Sequence, residues 1–141
     1  MKPAYVADSS VFASILVKDE FYGRALDFVR RFQGRMVRLN FAVVKAANAL
    51  WKHVHLMKRI LRDRYAALRD AVKPLVYSAA RVFKAGELLE EALDNAVRLE
   101  ITVYDSLYVT LALREGCKLA TFDEKVRVQL TAKGLDVATV P

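Results

Sequence analysis

The chain has 141 residues, 55% of them hydrophobic, a formal net charge of +7, and only five glycines and three prolines. Such a length and composition describe one compact domain with a single core, residues 1–141, and exclude a disordered or fibrous chain. The one cysteine, Cys117, cannot form an internal disulfide; in the apolar run Cys117-Lys118-Leu119-Ala120 it reads as a buried, unreactive thiol suited to a reducing, intracellular setting.

In chain order, Ala4-Tyr5-Val6-Ala7 is a short apolar run that reads as a buried strand, and Asp8-Ser9-Ser10 after it carries helix-capping chemistry. Asp8 follows too soon for a signal-peptide core, and no stretch approaches the ~20 apolar residues that span a bilayer, so a soluble, cytoplasmic protein without a membrane role is expected. A helix follows through Val17. Asp19-Glu20 opens another, with Leu26, Val29 and Phe32 on one buried face and Gly34 at its end. Met36-Val37-Arg38-Leu39 is a second strand. Asn40 is a cap for a long helix bearing Val43, Ala47, Leu50 and Val54 on one face.

The segment from Arg62 to Val72 reads as a helix ended before Pro74, with Leu75-Val76-Tyr77 as a third strand. Leu89, Ala92, Leu93, Ala96 and Val97 mark the apolar face of a helix over Glu87–Val97. Tyr104-Asp105-Ser106 opens a helix closed by Gly116. Lys118–Phe122 is a strand ending on Asp123, a short helix runs to about Lys133, and Asp136-Val137-Ala138 is the last strand. Short strands alternating with helices predict an α/β fold, a three-layer domain whose mainly parallel central sheet is flanked by helices.

Charge is unevenly distributed. Between Trp51 and Lys73 seven basic residues (Lys52, Lys58, Arg59, Arg62, Arg64, Arg69, Lys73) face only two acidic ones. A patch of this kind suits a phosphate backbone, although a solvated helix face has the same look.

Three acids stand where chemistry is expected in a parallel sheet. Ligands of such sheets bind outside the carboxyl ends of the strands, where strand order reverses. Asp8 and Asp123 each end a strand, and Asp105 stands at a helix start. Carboxylates brought together repel one another unless a cation neutralises them, and oxygen donors suit Mg²⁺ or Mn²⁺. Each aspartate also reads as a plain helix cap. A receiver-like α/β domain would offer adjacent acids after its first strand and a lysine late in the chain, and neither is evident.

The surroundings of these acids resemble the PIN domain family, in particular the VapC toxins of toxin–antitoxin systems. The matching segments are Tyr5-Val6-Ala7-Asp8-Ser9-Ser10-Val11, Ala46-Ala47-Asn48-Ala49-Leu50-Trp51, Tyr104-Asp105-Ser106-Leu107-Tyr108-Val109 and Ala120-Thr121-Phe122-Asp123-Glu124-Lys125-Val126. They occur in family order across nearly the whole chain. The resemblance implies a metal-dependent ribonuclease that forms a homodimer, cleaves RNA and is held inactive by a small antitoxin. It makes Asp8, Asp105 and Asp123 the catalytic, metal-holding acids and Thr121 the polar residue beside the last of them, with Ser9 in support. In that reading Lys52, Lys58, Arg59 and Arg62 are candidates for contact with the RNA backbone.

One position departs from the pattern. The family usually carries a glutamate before the small-residue run of the long helix, and this chain has Lys45. A protonated lysine cannot ligate Mg²⁺ and could itself neutralise the aspartates. A weakened enzyme, an inactive module that dimerises and binds antitoxin or RNA, and a disabled variant of an active toxin all accord with it. So does a one-residue offset that leaves Lys45 on a solvated face. His53 and His55, two apart on a helix, do not make a zinc pair, and Trp51 and Tyr108 read as packing residues.

Overall fold

The computed structural model describes residues 2–78 and 81–141. Its strands are β1 (Tyr5–Ala7), β2 (Met36–Leu39), β3 (Arg81–Phe83), β4 (Lys118–Ala120) and β5 (Ala138–Thr139). They form one sheet in the order β3-β2-β1-β4-β5, every pair parallel, with Tyr5 beside both Met36 and Lys118. The helices are α1 (Ser9–Val17), α2 (Tyr22–Phe32), α3 (Ala42–Trp51), α4 (Arg62–Tyr77), α5 (Leu89–Leu99), α6 (Val103–Glu115) and α7 (Glu124–Ala132). A π-helical turn, Lys52–Leu56, continues α3, and a 3₁₀ turn, Ala85–Leu88, precedes α5. This is the expected three-layer α/β architecture.

Two packing groups hold the sheet. α1 lies against α2, α3 and α4, whereas α6 lies against α5, β1 and β4. Strands buried on both faces read as continuous apolar runs, as in β2, where all four residues are buried. The exception in that run is Arg38. Its Nη1 donates to the Val76 carbonyl at 2.9 Å and to Ser78 Oγ at 3.3 Å, and its guanidinium lies over the Phe12 ring, 4.5 Å from the centroid. A cation at the last carbonyls of α4 opposes the negative end of that helix, which couples α4 to the sheet.

Three local expectations are corrected. Leu75-Val76-Tyr77 is the last turn of α4, and the third strand is Arg81–Phe83. Proline removes one helical hydrogen bond, but Pro74 is exposed, and so is Asp70, whose carbonyl it leaves free. Burial of Val72 and Val76, one turn apart, carries the helix through. Asn40 does not cap α3: its Oδ1 accepts from Ala85 N at 3.0 Å and its N–H donates to the Phe83 carbonyl, so it fastens the end of β2 to the end of β3. On α5 the buried residues are Ala92, Ala96 and Leu99, while Leu89, Leu93 and Val97 form an exposed apolar stripe. No helix among the described residues is long and apolar enough to cross a membrane.

Candidate active site at the strand-order reversal

The chain leaves β1 toward β2 on one side, while β4 occupies the other, so strand order reverses between β1 and β4. Ala7 and Ala120 are paired there, and the residues that follow each of them emerge side by side at the carboxyl edge of the sheet. Asp8 and Thr121 are those residues.

Hydroxyl groups stitch the two loops together. Asp8 Oδ1 accepts from Ser10 N at 2.9 Å and from Ser10 Oγ, and that same Oγ accepts from Phe122 N at 2.9 Å. Thr121 Oγ1 accepts from Asp123 N at 3.0 Å and lies 3.5 Å from Ser10 Oγ. Arg127 Nη1 donates to the Thr121 carbonyl at 2.8 Å. Ser10, which the sequence reading treated only as capping chemistry, is therefore the residue that bridges β1 and β4. Its bridging role depends on strand order, which no local spacing reveals.

The three aspartates differ in what they have left to offer. Asp8 caps α1 and Asp123 caps α7, each through Oδ1, to Ser10 N and to Val126 N. Asp105 is not a cap: Thr102 caps α6, its Oγ1 accepting from Asp105 N at 3.2 Å. The Asp105 carboxylate is thus not the cap of its own helix, although the Thr102 side chain bears on it. Burial, opposed by the bonds from Ser10 and Thr121 and aided by the charge of Asp123, pushes the Asp8 carboxyl up to about 6. Asp105 is also raised, first by burial and then by Asp123, against the pull of Thr102, Lys45 and Lys125. Each of these shifts couples one aspartate to Asp123.

Asp105, Asp123, Lys45 and Lys125 line one cavity of about 450 Å³. Lys45 Nζ stands over the Tyr104 ring, 5.6 Å from its centroid, and Tyr104 stacks on Phe41 at the start of α3. Lys45, though exposed, thus lies on the rim of the acid cavity. Lys125 was not singled out beforehand, although its place two residues after Asp123 was visible. Among the described residues no group of three or more His, Cys, Asp or Glu side chains converges tightly enough to hold a metal ion.

The basic candidates lie elsewhere. Lys52, Lys58, Arg59 and Arg62 are exposed on the flank formed by the π turn and α4, and Arg62 lines a larger groove of about 840 Å³ between α3 and α4. The floor of that groove includes Val43, Ala47, Leu50 and Val54. Trp51 at its edge is 49% exposed and stacks on His55, contrary to the expected core position, because the chain leaves regular helix geometry immediately after it. Tyr108 is buried as expected. Cys117 is half-buried, and burial raises its thiol, which keeps it protonated at neutral pH.

A model of the PIN domain family matches residues 5–129 of this chain. The chain belongs to the PIN domain family. Over 127 residues this PIN domain is 32% identical to Ribonuclease VapC3 of Pyrobaculum aerophilum, covering 90% of this chain and 95% of that protein. Its fold matches the crystal structure of PAE2754 from Pyrobaculum aerophilum with a TM-score of 0.73 at 23% identity, covering 99% of this chain and 90% of that one. It also matches VapC20 (Rv2549c) of Mycobacterium tuberculosis, a sarcin-ricin loop cleaving toxin, with a TM-score of 0.68 at 17% identity, covering 98% of this chain and 100% of that one.

Proposed function

We propose that this PIN domain is the toxin ribonuclease of a VapBC-like toxin–antitoxin pair, with a divalent-metal centre at Asp8, Asp105 and Asp123 that Lys45 weakens. The observation that supports the reading is the coupling of Asp8 and of Asp105 each to Asp123, beside the strand-order reversal of a chain whose relative is a VapC ribonuclease.

The donor set suits a hydrated Mg²⁺ or Mn²⁺, which takes one or two carboxylates and keeps its waters, and does not require three converging ligands. A bound ion supplies neutralisation of phosphate charge and a water acidic enough to attack the phosphodiester bond near neutral pH. Asp105 is free of capping duty, and Asp8 and Asp123 each keep one oxygen outside their caps. Ser10 and Thr121 hold the two loops in register, so Asp8 and Asp123 stay aligned without rearrangement. Lys45 and Lys125 set positive charge against Asp105; Lys125 can also attract RNA phosphates, while Lys45 competes with the ion for the same carboxylate.

Features of the surface accord with the proposed partners. The groove between α3 and α4, apolar on its floor and rimmed by Arg62, Arg69 and Lys73, suits an acidic amphipathic antitoxin segment. Lys52, Lys58, Arg59 and Arg62 would add salt-sensitive affinity for RNA. The exposed stripe Leu89, Leu93 and Val97 supports a homodimer.

A second reading, an inactive PIN module that dimerises and binds antitoxin or RNA, is favoured by Lys45 alone. Cleavage of a mixed RNA pool in Mg²⁺ or Mn²⁺ separates the two. Lys45→Glu is expected to raise cleavage at least ten-fold, and Asp8→Asn or Asp105→Asn in that background to abolish it. Equal inactivity of the parent chain and Lys45→Glu would establish the binding module instead.

A further inference from the structure

Tyr104 stands in the first turn of α6, immediately before Asp105, and is 53% exposed although Ser106 to Ala112 behind it are all buried. Its ring lies parallel to that of Phe41, with 5.5 Å between centroids and 7° between planes, and Phe41 is itself half-buried at the start of α3. A neighbour on another helix thus holds the phenol flat, and the exposure falls on what Phe41 leaves uncovered. That fixed orientation separates this ring from an ordinary surface tyrosine: a planar ligand stacking on it does not have to order the side chain first.

Tyr104 and Lys45 line the cavity of about 450 Å³ together with Asp105, Asp123 and Lys125, a volume within the range of small-ligand sites. Glu100, on the same rim, is paired with Lys133. The exposed cations Lys45 and Lys125 therefore stand against two carboxylates, and the cavity has no large net field. Affinity there has to come in good part from an uncharged contact, and an aromatic face with cations beside it suits an unstacked nucleobase and its phosphates. A base inside a duplex has both faces covered by its neighbours, so only a single strand can use such a face. We propose that Tyr104, backed by Phe41, is a stacking platform for one nucleobase of single-stranded RNA at the mouth of the acid cavity, with Lys45 and Lys125 serving the adjoining phosphates. The assignment rests on the RNA-directed reading above and needs no bound metal; it adds that the site selects unpaired RNA.

The test is fluorescence anisotropy of a labelled, mixed-sequence single-stranded oligoribonucleotide, and of an RNA duplex of equal length, titrated with the full chain in a chelator at several salt concentrations. Tyr104→Ala is expected to weaken single-strand binding about ten-fold, as for the loss of one stacked base, without changing its salt dependence, while duplex binding holds. Tyr104→Phe and Tyr104→Trp should keep the affinity, and Tyr104→Leu, which retains an apolar contact with Phe41 but has no ring, should lose it as Tyr104→Ala does. Rescue by leucine, or an equal loss for duplex and single strand, would assign Tyr104 to packing and overturn the platform. Single-strand affinity unchanged in Tyr104→Ala overturns it too and leaves RNA binding standing. A parent chain without affinity for the single strand also overturns it, and the cleavage assay on Lys45→Glu then decides the ribonuclease reading separately.

Discussion

Asp8 does two jobs that conflict. Its Oδ1 caps α1, which stabilises the fold, while burial beside Asp123 raises the carboxyl from 3.8 to about 6. The folded chain therefore keeps a proton that the unfolded chain releases between those values. That stabilisation is complete below about 3.8 and is lost as pH rises through about 6, so at neutral pH the ionised group costs on the order of 3 kcal/mol. Asparagine keeps the acceptor and cannot ionise. In the presence of a chelator, Asp8→Asn should raise the melting temperature at pH 7.5 and flatten the pH dependence of stability between pH 4 and 7; a lower melting temperature at pH 7.5 would contradict the burial argument. A residue kept at such a cost fits a site built for a cation.

The residue scale also sets what could be read in advance. Asp8 and Asp123 were legible because each follows a short apolar strand, and strand ends are where parallel sheets bind ligands. Asp105 was legible as a position, and its alternative reading as a plain cap falls away, since Thr102 three residues earlier takes that part. Ser10 owes its bridging role to Thr121 and Phe122, far away in the chain, and no local pattern announces it.

At the scale of elements, the segment around Pro74 shows how packing overrides a local signal. Proline in a helix interior costs about 3 kcal/mol, and a stop before it was the reasonable expectation. The burial of Val72 and Val76 and the clasp of Arg38 on the Val76 carbonyl keep α4 intact through Tyr77. Restoring the missing N–H by Pro74→Ala should stabilise the protein by about 2 kcal/mol, after allowing for the freer unfolded chain, as read from urea unfolding. Destabilisation would mean that Pro74 sets a bend the packing requires. The strand that follows was missed because Arg81-Val82-Phe83 offers one exposed and two half-exposed residues, a weaker apolar signal than Leu75-Val76-Tyr77. The same difficulty hid the face of α5: an unbroken set of apolar residues at helical spacing does not say which stripe is buried, and small Ala92 and Ala96 pack closely where larger Leu93 and Val97 do not.

For the molecule as a whole, those outward residues are where the proposed homodimer contact would lie. Val97 is 75% exposed, and Leu89 and Leu93 continue its stripe along one side of α5. A contiguous apolar stripe of this sort marks a contact surface. Leu93→Lys should convert a dimer into a monomer in sedimentation velocity while leaving the far-ultraviolet circular dichroism unchanged; a dimer that persists would place the contact elsewhere. The parallel sheet, by contrast, was expected from alternating strands and helices, whereas its strand order was not; the reversal between β1 and β4 brings together segments more than a hundred residues apart. The family match over residues 5–129 spans that arrangement from the first strand to the last helix.

Under the proposed function, Asp8, Asp105 and Asp123 hold one divalent-metal centre whose weakness lies in Lys45. Anomalous diffraction from crystals soaked in Mn²⁺, collected for the chain as it stands and for Lys45→Glu, tests it most directly. A manganese peak among the three aspartates, stronger in Lys45→Glu, is the expected result. A Lys45→Glu crystal with no manganese at the carboxyl ends of β1 and β4 would contradict it.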